Sequence, residues 1–215
     1  MQESPARPPW ALDQDGLFDP DASALELGSL GKDAPDAPPR FAWAITGSGH
    51  MLRESLALAA QLPGVDLFLS QAGEEVLARY DITVASLRPQ FRVIRDKTAS
   101  SVPVGLLYDH RYHTVVLAPA TSNTVAKCAF GISDTLPTNM YAQGGKLGIP
   151  GIVFACDTEP VVITESPRGL VRLMPRNIEL ENVDRLRAID HTRVVCSIDG
   201  LREALAVRLA ELKLT

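Results

Sequence analysis

The stretch "HTVVLAPATSNTVAKCAFGISDTL", residues 113–136, decides how the chain is read. An apolar run over 113–119 reads as a buried strand. Pro119 has no N–H to give, so the strand's ladder is expected to stop there. Four polar residues follow, Thr121, Ser122, Asn123 and Thr124, and then a helix is predicted over about 122–132. A strand that passes straight into a helix is half of a βαβ unit, and that points to a parallel sheet. One Ser or Asn is enough to cap a helix. A run of four such residues exceeds that need and fits a ligand lying against the backbone, with Ala120 leaving room for a flat group.

The same rhythm extends in both directions. Residues 40–46 ("RFAWAIT"), 65–70 ("VDLFLS"), 91–96 ("FRVIRD") and 151–156 ("GIVFAC") read as further strands. Helical spacing of apolar residues marks 50–62 and 71–80 between them. Later, 169–174 reads as an edge strand, 179–189 as a helix and 192–197 as a strand, with Asp199 as the expected N-cap of a last helix. The fold class expected is α/β, a three-layer sandwich with a mostly parallel central sheet. Residues 1–39 are rich in Asp, Pro, Ala and Gly and are expected to be a flexible tail, leaving 40–215 as the domain.

Composition excludes several classes of function. A formal net charge of −5 gives no electrostatic footprint for nucleic acid or an anionic membrane surface. No apolar run approaches the roughly 18 residues that span a bilayer. The start, "MQESPARPPW", lacks a basic segment followed by an apolar core, so no secretory signal is read there. Three cysteines without CxxC spacing argue against a disulfide framework or a zinc site, and a cytoplasmic location is expected.

Ligands of open parallel sheets bind beyond the carboxyl ends of the strands. Small polar residues gather at four such ends. Gly47, Ser48 and Gly49 form a turn whose glycines let a ligand approach the backbone, and the helix that follows offers amides to a phosphate. Ser70 ends the next strand and is a second candidate phosphate donor. Ala99, Ser100 and Ser101 follow the third strand, and Pro119 to Thr124 the fourth. There is no GxGxxG and no GxxxxGK[ST], so dinucleotide and nucleoside-triphosphate sites have no support. A cofactor with one phosphate and a flat head, such as FMN, suits these loops. No histidine has metal-ligand spacing, and none of the residues names itself as catalytic.

"AITGSGHML" and "VVLAPATSNTVAKCAFGISDTLPTNMYAQ" together resemble the homo-oligomeric flavin-containing cysteine decarboxylase superfamily, which carries a PASANT-type motif followed by a GI-D-L-N run. The matching positions are Pro119 to Thr124, Ala126, Lys127, Gly131, Ile132, Asp134, Leu136 and Asn139. "RDKTASS" and "RNIELENVDRLRAI" are similar to the branch of archaeoflavoproteins and dihydromethanopterin reductases. The resemblance implies a flavodoxin-like or Rossmann-like domain that binds FMN. Gly47 and Ser48 would hold its phosphate with Ser70, Ala99 to Ser101 would lie beside the ring, and Pro119 to Thr124 would meet the ring or ribityl chain. It also implies a homo-oligomer built from trimers, with FMN at the subunit interface.

The sequence departs from the decarboxylases at two places. An ungapped count puts Gly105 where they carry a catalytic histidine, with His110 and His113 nearer the strand, and residues 154–179 contain no PxMNxxMW clamp. Relatives that prenylate FMN begin the fourth loop with PCS, where Ala120 and Thr121 stand here. The expected activity is therefore reduction of a dihydropterin, dihydromethanopterin to tetrahydromethanopterin, by hydride transfer from reduced FMN. A separate ferredoxin-like protein is the expected electron donor. The competing expectations are an electron-transfer flavoprotein fed by an iron–sulfur protein, a decarboxylase or flavin prenyltransferase, and an FMN-binding oligomer with a storage or scaffold role.

Overall fold

Six short strands line up in parallel in the structure, a computed structural model that describes residues 38–96 and 101–213. The tail expected over 1–39 lies outside the described residues except for its last two. The strands are β1 (Arg40–Ile45), β2 (Val65–Leu69), β3 (Arg92–Arg95), β4 (Tyr112–Ala120), β5 (Gly151–Ala155) and, last in the chain, β8 (Thr192–Val195). Their order across the sheet is β3-β2-β1-β4-β5-β8. Every residue of β2 and β5 is buried, which is why these strands read as unbroken apolar runs and not as alternating ones. Trp43, Phe41, Phe68 and Phe154 fill the centre.

The helices are α1 (Leu52–Ala59), α2 (Gln71–Arg79), α3 (Val84–Leu87), α4 (Ser101–Val104), α5 (Ser122–Ala129), α6 (Leu136–Lys146), α7 (Asn177–Arg187) and α8 (Ile198–Glu211), with a 3-10 turn at Gly105–Leu107. Leu52 and Leu56 of α1, Leu77 of α2 and Leu201 and Leu205 of α8 share one apolar cluster with β1 and β2. On the other side α6 crosses β1, β2, β4 and β5, and α5 packs on α7. The layers are thus helix, sheet, helix, as expected.

Three expectations change. Residues 169–174 do not edge the main sheet: β7 (Gly169–Leu173) pairs antiparallel with β6 (Val162–Ser166) in a separate two-stranded ribbon, Val162 opposite Leu173. The N-cap of α8 is Ser197, whose hydroxyl accepts the Gly200 N–H at 3.0 Å, while Asp199 sits inside the first turn and pairs with Arg202. Helix α6 was not expected, because Pro137 and a Gly pair at 144–145 break its pattern. Its start is held by a reciprocal capping box between Thr135 and Thr138, and Pro137 falls in the first turn, where its missing N–H is not needed.

The chain runs outward from β1 to β2 and β3, then crosses back to lay β4 on the other side of β1. That reversal opens a crevice at the carboxyl ends of β1 and β4. The opposite end of the sheet is tied by Asp66 of β2, which is only 1% exposed. Arg40 Nε donates to its Oδ1 at 2.8 Å and the Tyr112 hydroxyl to its Oδ2 at 2.8 Å, with Arg92 at 3.8 Å. Burial first, and then the Asp66 charge, raise the Tyr112 phenol, so it stays a donor. Asp66→Ala leaves a buried hydroxyl and a guanidinium without their acceptor. We expect it to lower unfolding free energy by about 3 kcal/mol in urea denaturation, and a loss under about 1 kcal/mol would show the cluster to be replaceable.

Candidate functional site

Thr46 follows β1 and is 2% exposed. Its hydroxyl donates to the Pro119 carbonyl at 2.8 Å and accepts the Thr121 N–H at 3.0 Å. One side chain therefore clamps the tips of β1 and β4 together and sets where the polar run begins. Pro119 does not end the strand, contrary to the expectation: β4 continues to Ala120, which pairs with Ala155 after a shift of register beyond Leu117. The irregular register takes up the missing N–H. Pro119 and Ala120 are buried.

Thr121 is the cap of α5, accepting the Thr124 N–H at 3.1 Å. The Ser122 and Asn123 amides then have no acceptor within the helix. Ser122 is half-buried and Asn123 exposed, and their side chains make no hydrogen bond among the described residues. These are the surplus donors that the sequence pattern pointed to. At the tip of β2, Ser70 is buried and caps α2 through the Gly73 N–H at 2.9 Å, so only its proton is left to give. A Cβ on Gly73 would stand 2.6 Å from the Ile45 carbonyl oxygen, so only glycine lets α2 start so close to β1.

Two clefts open here. The first, about 660 Å³, is lined by Ser70, Asp96, Asn123, Thr124 and Lys127 among others. The second, about 360 Å³, lies under the β6–β7 ribbon and is lined by Ser48, Gly49, His50, Tyr80, Cys156 and Thr164 among others. Gly47, Thr121 and Ser122 line both. Ser48 and Ser70 thus face different clefts, with Gly47 at the divide. A Cβ on Gly49 would meet the Tyr80 hydroxyl at 2.1 Å. Ala99 and Ser100 lie outside the described residues, and Ser101 is the first residue of α4.

The first cleft is acidic at its rim, with Glu75, Asp96 and Asp134 against Lys127. Asp96 accepts the Leu136 N–H at 2.9 Å and so caps α6 from across the sheet. Lys127 pairs with Asp134 at 2.8 Å, and its hydrogen bond holds that carboxyl below the usual range. In the second cleft, His50 Nδ1 lies 2.9 Å from the Thr164 hydroxyl and anchors the ribbon to the β1–α1 loop. Burial lowers the His50 pKa against the opposing pull of Asp157 and Glu54. Thr46, Asp96 and His50 lie in loops that the sequence marks, and Cys156 at a strand end beside them, but none of these four is among the site residues expected from sequence, and neither is Thr164. The signal for Asp96 was its place at a strand end; nothing local marks Thr164. Among the described residues no cluster of His, Cys, Asp and Glu could hold a metal ion, and no helix is long and apolar enough to cross a membrane.

A parallel sheet with two polar clefts at its switch point, and free helix-start donors between them, defines an α/β protein that holds a phosphorylated, flat ligand. The chain belongs to the Flavoprotein family, whose profile matches residues 32–209. The resemblance carried by "PATSNT" and the run after it is thereby borne out. DmrB of Burkholderia xenovorans, solved in complex with FMN and described as a cubic protein cage for redox transfer, is 63% identical, with a TM-score of 0.78 over 83% of this chain and 99% of that one. A dihydromethanopterin reductase (acceptor) of Methanosarcina mazei is 34% identical over 154 residues, 65% of this chain and 64% of the reductase. An uncharacterized protein of Methanocaldococcus jannaschii is 33% identical over 175 residues, 77% of this chain and 94% of its own.

Thr46→Val keeps the shape of the clamp and removes both its hydrogen bonds. We expect a loss of about 2 kcal/mol in chemical denaturation and recovery of most of it in Thr46→Ser. A loss in Thr46→Ser with none in Thr46→Val would show that the methyl group, not the hydroxyl, matters.

Proposed function

We propose that this chain is an FMN-dependent oxidoreductase that reduces a dihydropterin, dihydromethanopterin to tetrahydromethanopterin. The observation that carries this reading is the free donor set at the switch point, in a chain 63% identical to a protein solved with FMN. The reductase activity itself comes from relatives of which the match spans about two thirds or less.

The residues fit the cofactor. The amides and the Ser48 hydroxyl around Gly47, Ser48 and Gly49 suit a phosphate in the second cleft, while Ser70 faces the first cleft, whose carboxylates, Glu75, Asp96 and Asp134, disfavour an anion. Of Pro119 to Thr124, the residues Ser122, Asn123 and Thr124 offer donors and acceptors to the polar edge of a ring or to a ribityl chain. Ala99 to Ser101, following β3, would lie beside the ring. FMN held here would, in its reduced form, supply the hydride that the C=N bond of a dihydropterin takes up together with a proton from solvent. The chain's part is to orient the two rings and, through the ribbon over the second cleft, to exclude water.

Decarboxylation and prenyl transfer are not favoured. His113 is the second residue of β4, at the opposite end of the sheet, about 20 Å from its tip, with its ring edge-on to Phe41. Gly105 opens the 3-10 turn, Ala120 is the buried last residue of β4 and Thr121 caps α5. We further read the protein as a homo-oligomer, trimer-based, that takes electrons from a ferredoxin-like donor. Ile163, Leu170 and Met174, 62–78% exposed on or beside the β6–β7 ribbon, give it apolar surface.

Anaerobic reduction followed by mixing with dihydromethanopterin tests the activity: the flavin band should return with one dihydropterin consumed per flavin. Reoxidation by one-electron acceptors but not by the pterin would move the reading to electron transfer. Ser48→Asp, which places a carboxylate against the phosphate, is expected to weaken FMN binding at least about tenfold. Unchanged flavin content after purification would remove Ser48 from the phosphate site.

A further inference from the structure

The Ser48 hydroxyl has two neighbours, and together they decide what it can offer. Its Oγ accepts the His50 N–H at 3.2 Å. It also lies 3.1 Å from the Cys156 sulfur. Cys156 follows β5, is buried, and is fixed by its own N–H donating to the Ala120 carbonyl at 3.2 Å. Burial pushes the thiol up to about 12, with the Ser48 contact pulling the other way, so the sulfur keeps its proton near neutral pH.

Two arrangements are available to this pair. If Ser48 donates to the sulfur, its proton goes to a weak acceptor, and the thiol proton has no acceptor among the described residues. If the thiol donates instead, both acceptor positions of the Ser48 oxygen are taken, by His50 and by Cys156. The hydroxyl proton is then free to point into the cleft, where Ser48 is half-exposed. Only the second arrangement satisfies both groups.

We infer that Cys156 is a positioning residue that makes Ser48 an obligate donor and so selects a ligand end that can only accept, a phosphate monoester over a neutral alcohol. The inference rests on the flavin reading above. Hydrogen bonds to a charged oxygen are about twice as strong as those between neutral groups, so the preset donor favours phosphate most. Asp157 lines the same cleft, so a phosphate must regain from Ser48 and the loop amides what it loses to that carboxylate.

The test is titration of flavin-free wild type, Cys156→Ala and Cys156→Ser with FMN and with riboflavin, read by quenching of flavin fluorescence. Wild type should bind FMN far more tightly than riboflavin. Cys156→Ala should weaken FMN about tenfold and leave riboflavin unchanged, and Cys156→Ser should restore FMN to within about threefold. Equal weakening of both ligands by Cys156→Ala would make the thiol a packing group and overturn the proposal, as would no change in either. A wild type that does not distinguish FMN from riboflavin would overturn the phosphate reading itself. One that distinguishes them, with an unaffected Cys156→Ala, overturns only the role of Cys156.

Discussion

The hydroxyl of Thr46 joins two strands that the backbone alone would leave unconnected at their tips. The β1–β4 ladder pairs residues only as far as Ala44 with Leu117, and Pro119 has no N–H with which to extend it. Beyond that point the strands would diverge, and buried polar groups would go unpaired. Thr46 supplies one donor to the Pro119 carbonyl and one acceptor to the Thr121 N–H. The start of α5 is thereby fixed relative to the β1–α1 loop, and with it the divide formed by Gly47 and Ser122. Trp43 reinforces the seam one turn of the pleat earlier, its Nε1 donating to the Ala118 carbonyl at 2.8 Å.

The two ends of the sheet handle polarity in opposite ways. At the amino end, Arg40 and Tyr112 both donate to the buried Asp66 carboxylate, so its charge is met from within the fold. At the carboxyl end, capping is carried by a few side chains, Thr121, Ser70 and Asp96, so that their neighbours stay open. The same residue types thus stabilise at one place and recognise at another. What separates the roles is whether the local hydrogen bonds close.

The sequence was a good guide wherever a side-chain pattern repeats over several residues. Strands buried on both faces gave unbroken apolar runs, and "PATSNT" marked a helix start with more donors than a cap uses. It was a poor guide where structure depends on a partner far along the chain. Asp96 caps a helix 40 residues later. His50 meets Thr164 across 114 residues. Pro119 lies inside a strand because a shifted register accommodates it, and no local pattern encodes that shift. Helix α6 was hidden by Pro137 and two glycines, although the Thr135–Thr138 box that begins it is written in adjacent residues.

The β6–β7 ribbon shares no ladder with the main sheet. Its strands exchange hydrogen bonds with each other, and the His50–Thr164 contact fastens it to the first loop. Such a flap can be rewritten by mutation without disturbing the register of any core strand. A lineage could therefore keep its grip on one cofactor for a long time while trading the molecules admitted beside it, with the innovation confined to a dozen residues between Val162 and Leu173.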